Sequence, residues 1–223
     1  MRLAVVVGAR GGIGAALCEA LRRDADYDEV IGLGRPEIDL ADEDSIARAA
    51  AAWPADAVRL IVNAAGFLHD ETQGPEKSLR DLDAAKLRRV FEINALGPAL
   101  LMKHALPRLP RRGRSVFACL SARVGSIGDN RLGGWYSYRA SKAALNQLVR
   151  TAAVELARQS PDALCIAIHP GTVATALSAP FATTGLEVHE PAAAARNLLG
   201  VLDQLTAEAS GGFFDWRGQP VPW

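Results

Sequence analysis

The segment RLAVVVGARGGIGAALCEALRR, residues 2–23, decides the fold of this chain. Residues 2–7 form a short, apolar, β-branched run that is typical of a buried strand. Four glycines follow at once: Gly8, Gly11, Gly12 and Gly14. Residues 13–23 then carry apolar side chains at helical spacing. A strand, a tight glycine turn and a helix are typical of the first half of a dinucleotide-binding unit, in which the glycines let the main chain approach a pyrophosphate at the helix N-terminus.

The glycine spacing leaves the subclass of this turn open. Gly8, Gly12 and Gly14 fit the pattern G-x-x-x-G-x-G, while exchanging Gly12 for Gly11 gives G-x-x-G-x-x-G. Both patterns predict a turn that binds phosphate, and neither chooses between the families that use it.

Strands and helices alternate along the rest of the chain. Further strands are predicted at residues 29–33, 58–62, 115–120, 164–168 and 212–216. Helices are predicted at residues 42–53, with Asp42 as N-cap, and at residues 82–109, 138–159 and 190–205. The alternation predicts an α/β fold, a Rossmann-type doubly wound parallel sheet of about seven strands with helices on both faces. Because no linker or repeat interrupts residues 1–223, we expect a single dinucleotide-binding domain.

Composition narrows the classes of partner. Lys plus Arg and Asp plus Glu number 25 each in 223 residues, so nothing electrostatic favours nucleic acid or an anionic membrane. The apolar run at the N-terminus is too short for a signal peptide or a membrane span. Cys18, Cys119 and Cys165 lie far apart in apolar segments, as expected of buried thiols in a reducing compartment. We therefore expect a cytoplasmic protein without a metal site.

Charges near the glycine turn indicate the type of dinucleotide. Folds that hold an adenosine ribose diol usually place an acid at the end of the second strand, but here Gly34 and Arg35 follow that strand. Two guanidinium groups, Arg10 and Arg35, suit a 2′-phosphate, so NADP(H) is favoured over NAD(H). Asp39 could accept from the adenine amino group, or it could be an ordinary polar residue at a strand end. The connection after Arg35 is too short for a crossover helix, so we expect a trimmed connection there.

Candidate catalytic side chains come from three elements. Tyr138 and Lys142 lie four residues apart in a helical run, which puts a phenol and an ammonium on one face. A nearby cation favours the phenolate of a tyrosine, whose ordinary pKa is about 10. Ser121 follows a strand at the sheet edge where ligands bind, so it is placed to donate to a substrate oxygen. Asn94, followed by Gly97-Pro98, interrupts an apolar helix and predicts a kink or a functional water site.

Together these residues resemble the short-chain dehydrogenase/reductase superfamily over nearly the whole chain. The matching motifs are Gly8-x-x-x-Gly12-x-Gly14, Asn63-Ala64-Ala65-Gly66, Asn94, Ser121, Tyr138-x-x-x-Lys142 and Pro170-Gly171-x-Val173-x-Thr175. The C-terminal part is similar to the C-factor-like members, which act in cell–cell signalling. Val7 departs from the usual Thr, and Ala64 from the usual second Asn. The interval from Ser121 to Tyr138 is long enough to admit Tyr136 as an alternative, but Ala140 rather than a lysine lies four residues beyond Tyr136.

The resemblance implies a role for each motif. Tyr138 is the general acid in carbonyl reduction and the base in the reverse direction, while Lys142 lowers its proton affinity and holds the nicotinamide ribose. Ser121 binds the substrate oxygen, and Asn94 holds a water that relays protons to Lys142. The residues expected to bind the cofactor are Gly8, Arg10, Gly12, Ile13, Gly14, Arg35, Asp39, Leu40, Asn63, Ala64, Ala65, Gly66, Tyr138, Lys142, Pro170, Gly171, Val173 and Thr175. In this list, Val173 and Thr175 would hold the carboxamide.

Three functions remain open at this point, in order of preference. The first is an NADP(H)-dependent oxidoreductase that reduces a small carbonyl compound or oxidises the matching alcohol. The second is a cofactor-binding signalling protein with little turnover, and the third is an epimerase or dehydratase, for whose extra domain the chain has little room. The short segment at residues 178–189 predicts an open substrate pocket. Apolar faces on residues 82–109 and 138–159 predict a homodimer or homotetramer.

Overall fold

The structure, a computed structural model, describes residues 1–181 and 187–223. Its strands are β1 (Leu3–Val7), β2 (Glu29–Leu33), β3 (Val58–Asn63), β4 (Ser115–Leu120), β5 (Ala163–His169), β6 (Thr172–Val173), β7 (Val188–His189) and β8 (Phe213–Asp215). Within the described residues, six of them form a parallel sheet in the order β2-β1-β3-β4-β5-β8, and β6 pairs with β7 in a small parallel sheet. The predicted doubly wound α/β fold is confirmed.

The main sheet has six strands in the described residues, where the sequence predicted about seven. Residues 38–40, in the trimmed connection after β2, add no strand to it. The chain turns after β2, with the amide of Ile38 donating to Gly34 O at 3.0 Å, and no ladder forms. Ile38 and Leu40 are buried in the core instead, so the trimmed connection covers the sheet rather than extending it.

Helices cover both faces of the sheet. They are α1 (Gly12–Arg22), α2 (Glu43–Ala51), α3 (Ala84–Phe91), α4 (Gly97–Ala105), α5 (Tyr136–Gln159) and α6 (Pro191–Gln204). Alternate residues of each buried strand point to opposite faces. Accordingly, Val5 packs in one core cluster with side chains of α2, α4 and α5, and Val6 packs in the other with side chains of α1 and α6. Among the described residues, no helix combines the length and hydropathy needed to span a membrane.

The predicted helix at residues 82–109 is interrupted where the sequence indicated. A π-helical turn, Glu92–Leu96, separates α3 from α4 and contains Asn94, whose side chain is fully buried. Gly97 follows, at a point where a Cβ would lie 2.5 Å from Leu40 O. The side-chain amide of Asn94 therefore contacts the loop after β3, and the missing side chain of Gly97 leaves room for the connection after β2. Asp42 caps α2 as predicted, accepting from Asp44 N at 3.0 Å.

Candidate active site

The glycine turn after β1 is shaped so that only main chain occupies it. Gly8 has a φ of +84°, and a Cβ there would lie 2.6 Å from Ala65 N. A Cβ on Gly14 would overlap Gly8 O. The N-cap of α1, Gly11, contributes no side-chain hydrogen bond, so the first amides of the helix lack a local acceptor. A cradle of main-chain amides fits a pyrophosphate, and this one is formed by the glycines that the sequence pattern indicated.

At the end of β2, the structure adds an acid that the sequence analysis missed. Arg10 Nη2 lies 2.8 Å from Glu37 Oε1, on an exposed ion pair, and the stem of Arg10 covers Gly34. Arg35 is exposed beside them. The strand itself ends without an acid, as the sequence shows, but the turn after β2 brings Glu37 back to Arg10. Arg10 and Arg35, the two arginines predicted to bind a 2′-phosphate, therefore both stand next to Gly34 at the end of β2.

Two residues predicted to bind the cofactor, Asp39 and Asn63, accept hydrogen bonds from main-chain amides of their own turns. Asp39 Oδ1 accepts from Ala41 N at 3.0 Å, while Leu40 is buried. After β3, Asn63 Oδ1 accepts from Ala65 N at 3.2 Å, and Ala64 N donates to Val7 O at 2.8 Å. This last bond fastens the loop after β3 to the end of β1, although Val7 has no side-chain hydroxyl to brace the turn.

On α5, Lys142 is tied to the carboxyl end of β4. Its Nζ donates to Leu120 O at 3.0 Å and lies 5.7 Å from the centroid of the Tyr138 ring. Both side chains are buried, at 3% and 9% exposure for Lys142 and Tyr138. A Cβ on Gly66 would lie 3.6 Å from Lys142 Nζ and 3.7 Å from Asn94 Oδ1. The predicted phenol, ammonium and amide therefore meet between α5, the π-turn and the loop after β3.

Burial sets the protonation of this pair. It raises the pKa of the Tyr138 phenol above its ordinary value, opposite to the direction that the Tyr–Lys spacing predicted. It lowers the pKa of the Lys142 ammonium to about 8. At neutral pH the phenol is therefore protonated and the amine is mostly charged, which suits a site that donates a proton.

Ser121 lies directly after β4 and is buried, as expected for a residue at the binding edge. Its Oγ donates to Asn146 Oδ1 at 2.6 Å. Asn146 was missed in the sequence, although its spacing offered a signal: Tyr138, Lys142 and Asn146 recur every four residues and share one face of α5. Asn146 Nδ2 is buried and has no partner among the described residues.

The side chain of Asn94 binds Phe67 and Ser141, and its water relay to Lys142 stays a prediction. Its Oδ1 accepts from Phe67 N at 2.8 Å, and its Nδ2 donates to Phe67 O at 2.7 Å and to Ser141 Oγ at 3.2 Å. Ser141 Oγ in turn donates to Tyr138 O at 2.8 Å. The buried amide thus joins the loop after Gly66 to the turn of α5 that carries the phenol.

The segment after β5 closes the other side of the cradle. Gly171, which follows Pro170, has a φ of +80° that favours glycine. Val173 is buried in β6, and Thr175 reaches the glycine turn, where its Cγ2 would lie 2.7 Å from a Cβ on Gly12. The turn and this segment are therefore neighbours, as a shared ligand requires.

Aromatic rings line the approach to Tyr138. Trp135 packs edge-on against Tyr138, with centroids 6.1 Å apart, and against Phe181 at 5.0 Å. His69 also packs edge-on with Phe181, with centroids 5.2 Å apart. The predicted substrate segment at residues 178–189 is only partly described, since residues 182–186 lie outside the described residues.

The sequence is similar to those of several known proteins. A family model described as Enoyl-(Acyl carrier protein) reductase matches residues 6–203. C-signal of Myxococcus xanthus is 38% identical over 167 residues, which are 74% of this chain and 93% of that protein. The 1-hydroxy-2-glutathionyl-2-methyl-3-butene dehydrogenase of Rhodococcus sp. (strain AD45) is 34% identical over 190 residues, 84% of this chain and 79% of that one.

A solved structure, the NADPH-bound carbonyl reductase from chicken fatty liver, superimposes with a TM-score of 0.84 at 25% identity and covers 100% of both chains. The fold, the order of the motifs and these matches agree with the resemblance drawn from the sequence. The chain belongs to the short-chain dehydrogenase/reductase family.

Proposed function

We propose that the protein is an NADP(H)-dependent oxidoreductase that reduces an aldehyde or ketone, or oxidises the matching alcohol, with Tyr138 as general acid and base. The observation that carries the proposal is the buried, protonated phenol on the same helix face as Lys142, whose Nζ is fixed to the residue before Ser121. The NADPH-bound carbonyl reductase of similar fold supports the same chemistry.

In the proposed reaction, the nicotinamide supplies or accepts the hydride when it is bound. Ser121 turns its hydroxyl from Asn146 Oδ1 to the substrate oxygen and stabilises the negative charge that develops there. Tyr138 gives its phenolic proton to that oxygen during reduction and takes it back during oxidation. Lys142 stabilises the phenolate that remains, and its bond to Leu120 O fixes the ammonium in place.

The cofactor would lie along the cradle already described. The glycine turn and the first amides of α1 would bind the pyrophosphate, and the segment from Pro170 to Thr175 would face the nicotinamide. Arg10 and Arg35 would bind the 2′-phosphate, which favours NADP(H). Calorimetric titration of NADPH and NADH, with Arg35→Ala as the variant, tests this assignment. We expect the variant to weaken NADPH more than NADH, and equal effects on both would contradict a 2′-phosphate site.

A screen of aldehydes, ketones and quinones with NADPH tests the activity itself. Oxidation of NADPH in the presence of at least one carbonyl class supports the proposal. A protein that binds NADPH but turns over none of them would contradict it and favour a second function.

That second function is a signalling protein that uses the fold to bind a cofactor. It is favoured by the 38% identity with the protein named C-signal. Retained biological activity of a Ser121→Ala/Tyr138→Phe double variant in cells would support it over the enzyme, whereas loss of that activity would support turnover.

We also propose that the chain forms a homodimer through its helices. Leu82, Leu96 and Val154 are exposed by 40%, 55% and 50% on the two segments whose apolar faces predicted association. Light scattering at micromolar concentration is expected to give the dimer mass, and a monomer alone would contradict the proposal.

A further inference from the structure

The helix that carries Tyr138 begins without a cap of its own. Its N-cap residue, Trp135, has a left-handed backbone with a φ of 52° and makes no side-chain capping bond. A non-glycine residue in this conformation costs free energy and persists only where its surroundings fix it. The first amides of α5 need acceptors from elsewhere.

Glu76, which lies 61 residues before Ser137 in the chain, supplies those acceptors. Its Oε2 accepts from Ser137 N at 3.1 Å, and its Oε1 accepts from Ser137 Oγ. Its main-chain oxygen accepts from Trp135 N at 2.5 Å. One residue of a separate loop therefore holds three donors at the start of α5.

The environment of Glu76 is what a structural cap needs. The residue is 7% exposed, and a buried carboxylate is tolerated only where donors and positive charge compensate it. Ser137 provides the donors, and the N-terminus of a helix of 24 residues provides the partial positive charge. Glu71, in the same loop, is exposed and makes a matched comparison.

The cap lies next to the reacting phenol. Tyr138 follows Ser137 directly, and the Trp135 ring packs edge-on against the Tyr138 ring. On its other side, Tyr138 O accepts from Ser141 Oγ at 2.8 Å. The main chain of Tyr138 is thus held on one side by Ser141, while Glu76 accepts from Trp135 N and Ser137 N in the turn on the other side.

The loop that carries Glu76 is itself anchored at two further points. Phe67 is bonded through both main-chain groups to Asn94. Asp70 pairs with Arg89 of α3 at 2.6 Å. Because these contacts hold the loop in place, the carboxylate of Glu76 can fix the position of the first turn of α5.

We propose that Glu76 is a positioning residue for Tyr138, which caps α5 from a separate loop and sets the orientation of the phenol towards the substrate. The proposal rests on the proposed function, in which Tyr138 transfers the proton. Glu76 touches neither substrate nor cofactor in this assignment, so its loss should lower kcat while NADPH binding is kept.

The test uses three variants of the full chain. Glu76→Met keeps the bulk but has no acceptor, Glu76→Gln restores an acceptor, and Glu71→Gln is the exposed control. For Glu76→Met we expect kcat to fall by about 10- to 100-fold with the carbonyl found in the screen, because small misplacements of reacting groups cost that much. The NADPH dissociation constant should stay within about twofold, and Glu76→Gln should recover most of kcat.

A second readout does not depend on turnover. The chain has three tyrosines, so a Tyr27→Phe/Tyr136→Phe background leaves Tyr138 as the only phenol to titrate by absorbance. Adding Glu76→Met should loosen the first turn and move the pKa of Tyr138 down towards its ordinary value near about 10. Glu76→Gln should leave this pKa in place.

The outcomes separate the two proposals. If the parent chain binds no NADPH, the proposed function fails. If it binds and turns over but Glu76→Met matches it in kcat and in the Tyr138 titration, Glu76 does not position the phenol. A Glu76→Met protein that loses NADPH binding together with its unfolding transition, or a Glu76→Gln protein no better than Glu76→Met, would likewise overturn the inference.

Discussion

Ser121 and Asn146 share a hydrogen bond of 2.6 Å at the carboxyl end of β4, and both side chains are buried. The single proton of the Ser121 hydroxyl is accepted here by Asn146 Oδ1, so Asn146 fixes the position of Ser121 Oγ and gives up that proton when the hydroxyl donates to the substrate oxygen. The same face of α5 carries Tyr138 and Lys142, so one helix sets all three polar groups of the proposed reaction.

Asn146→Ala should therefore lower kcat without weakening the cofactor. We expect a loss of about tenfold in kcat, from an interaction worth about 1–2 kcal/mol, because Ser121 Oγ is left without its acceptor. The dissociation constant of NADPH should be unchanged. Steady-state kinetics measure this, with the exposed neighbour Gln147→Ala as control. Equal kcat values for the two variants would contradict the role of Asn146.

Lys142 predicts a pH dependence. Burial lowers the pKa of its ammonium to about 8, so the charge is present below that pH and is lost as the pH rises through it. In the direction of reduction, kcat/KM should fall as the pH passes about 8, since it reports groups of the free enzyme. Lys142→Met should be slower at every pH and should lack this limb. A Lys142→Met profile that keeps the limb would assign the titration to another group.

Glu37 should oppose binding of the 2′-phosphate. It neutralises Arg10 through an exposed pair at 2.8 Å, so Glu37→Gln frees the guanidinium and removes a like charge from beside the phosphate. We expect NADPH to bind about two- to fivefold more tightly and NADH no more tightly, as suits an exposed pair. Calorimetry at fixed salt measures both. Glu19→Gln, which breaks the exposed pair with Arg23, is the control. Weaker NADPH binding to Glu37→Gln would contradict this assignment.

Two helical glycines should respond in opposite ways to alanine. A Cβ on Gly14 would overlap Gly8 O, whereas a Cβ on Gly200 of α6 would meet no atom of the described residues within 4 Å. Gly200→Ala should raise the free energy of unfolding by about 0.5–1 kcal/mol. Gly14→Ala should lower it and abolish NADPH binding by displacing the turn. Denaturant unfolding and titration measure the pair, and a Gly14→Ala protein with normal stability and binding would contradict the close approach.

The sequence predicted the features that local pattern encodes. Each of these features is encoded by a few neighbouring residues. They are the glycine turn, the alternation of strands and helices, the break at Asn94 and the Tyr138–Lys142 spacing. The connection after β2 was expected to be short, but the local pattern did not show that it folds back and buries Ile38 and Leu40 in the core.

Partners far apart in the chain could not be predicted in this way. Glu76 meets Ser137 across 61 residues, and Glu37 meets Arg10 across 27. The direction of the Tyr138 pKa was also beyond reach, because it depends on how deeply the phenol is buried rather than on the lysine one turn away. These contacts exist only once the loops after β2 and β3 have folded back over the sheet.

Turnover by Tyr138→Phe, measured with NADPH and the best carbonyl of the screen, tests the central claim most directly. The account predicts that kcat falls by at least about 100-fold, because the phenolic proton that Tyr138 transfers to the substrate oxygen is lost. The NADPH dissociation constant should stay within about twofold, and Tyr136→Phe, which changes the half-exposed neighbouring phenol, should keep its rate. A Tyr138→Phe enzyme with the parent rate would contradict the account.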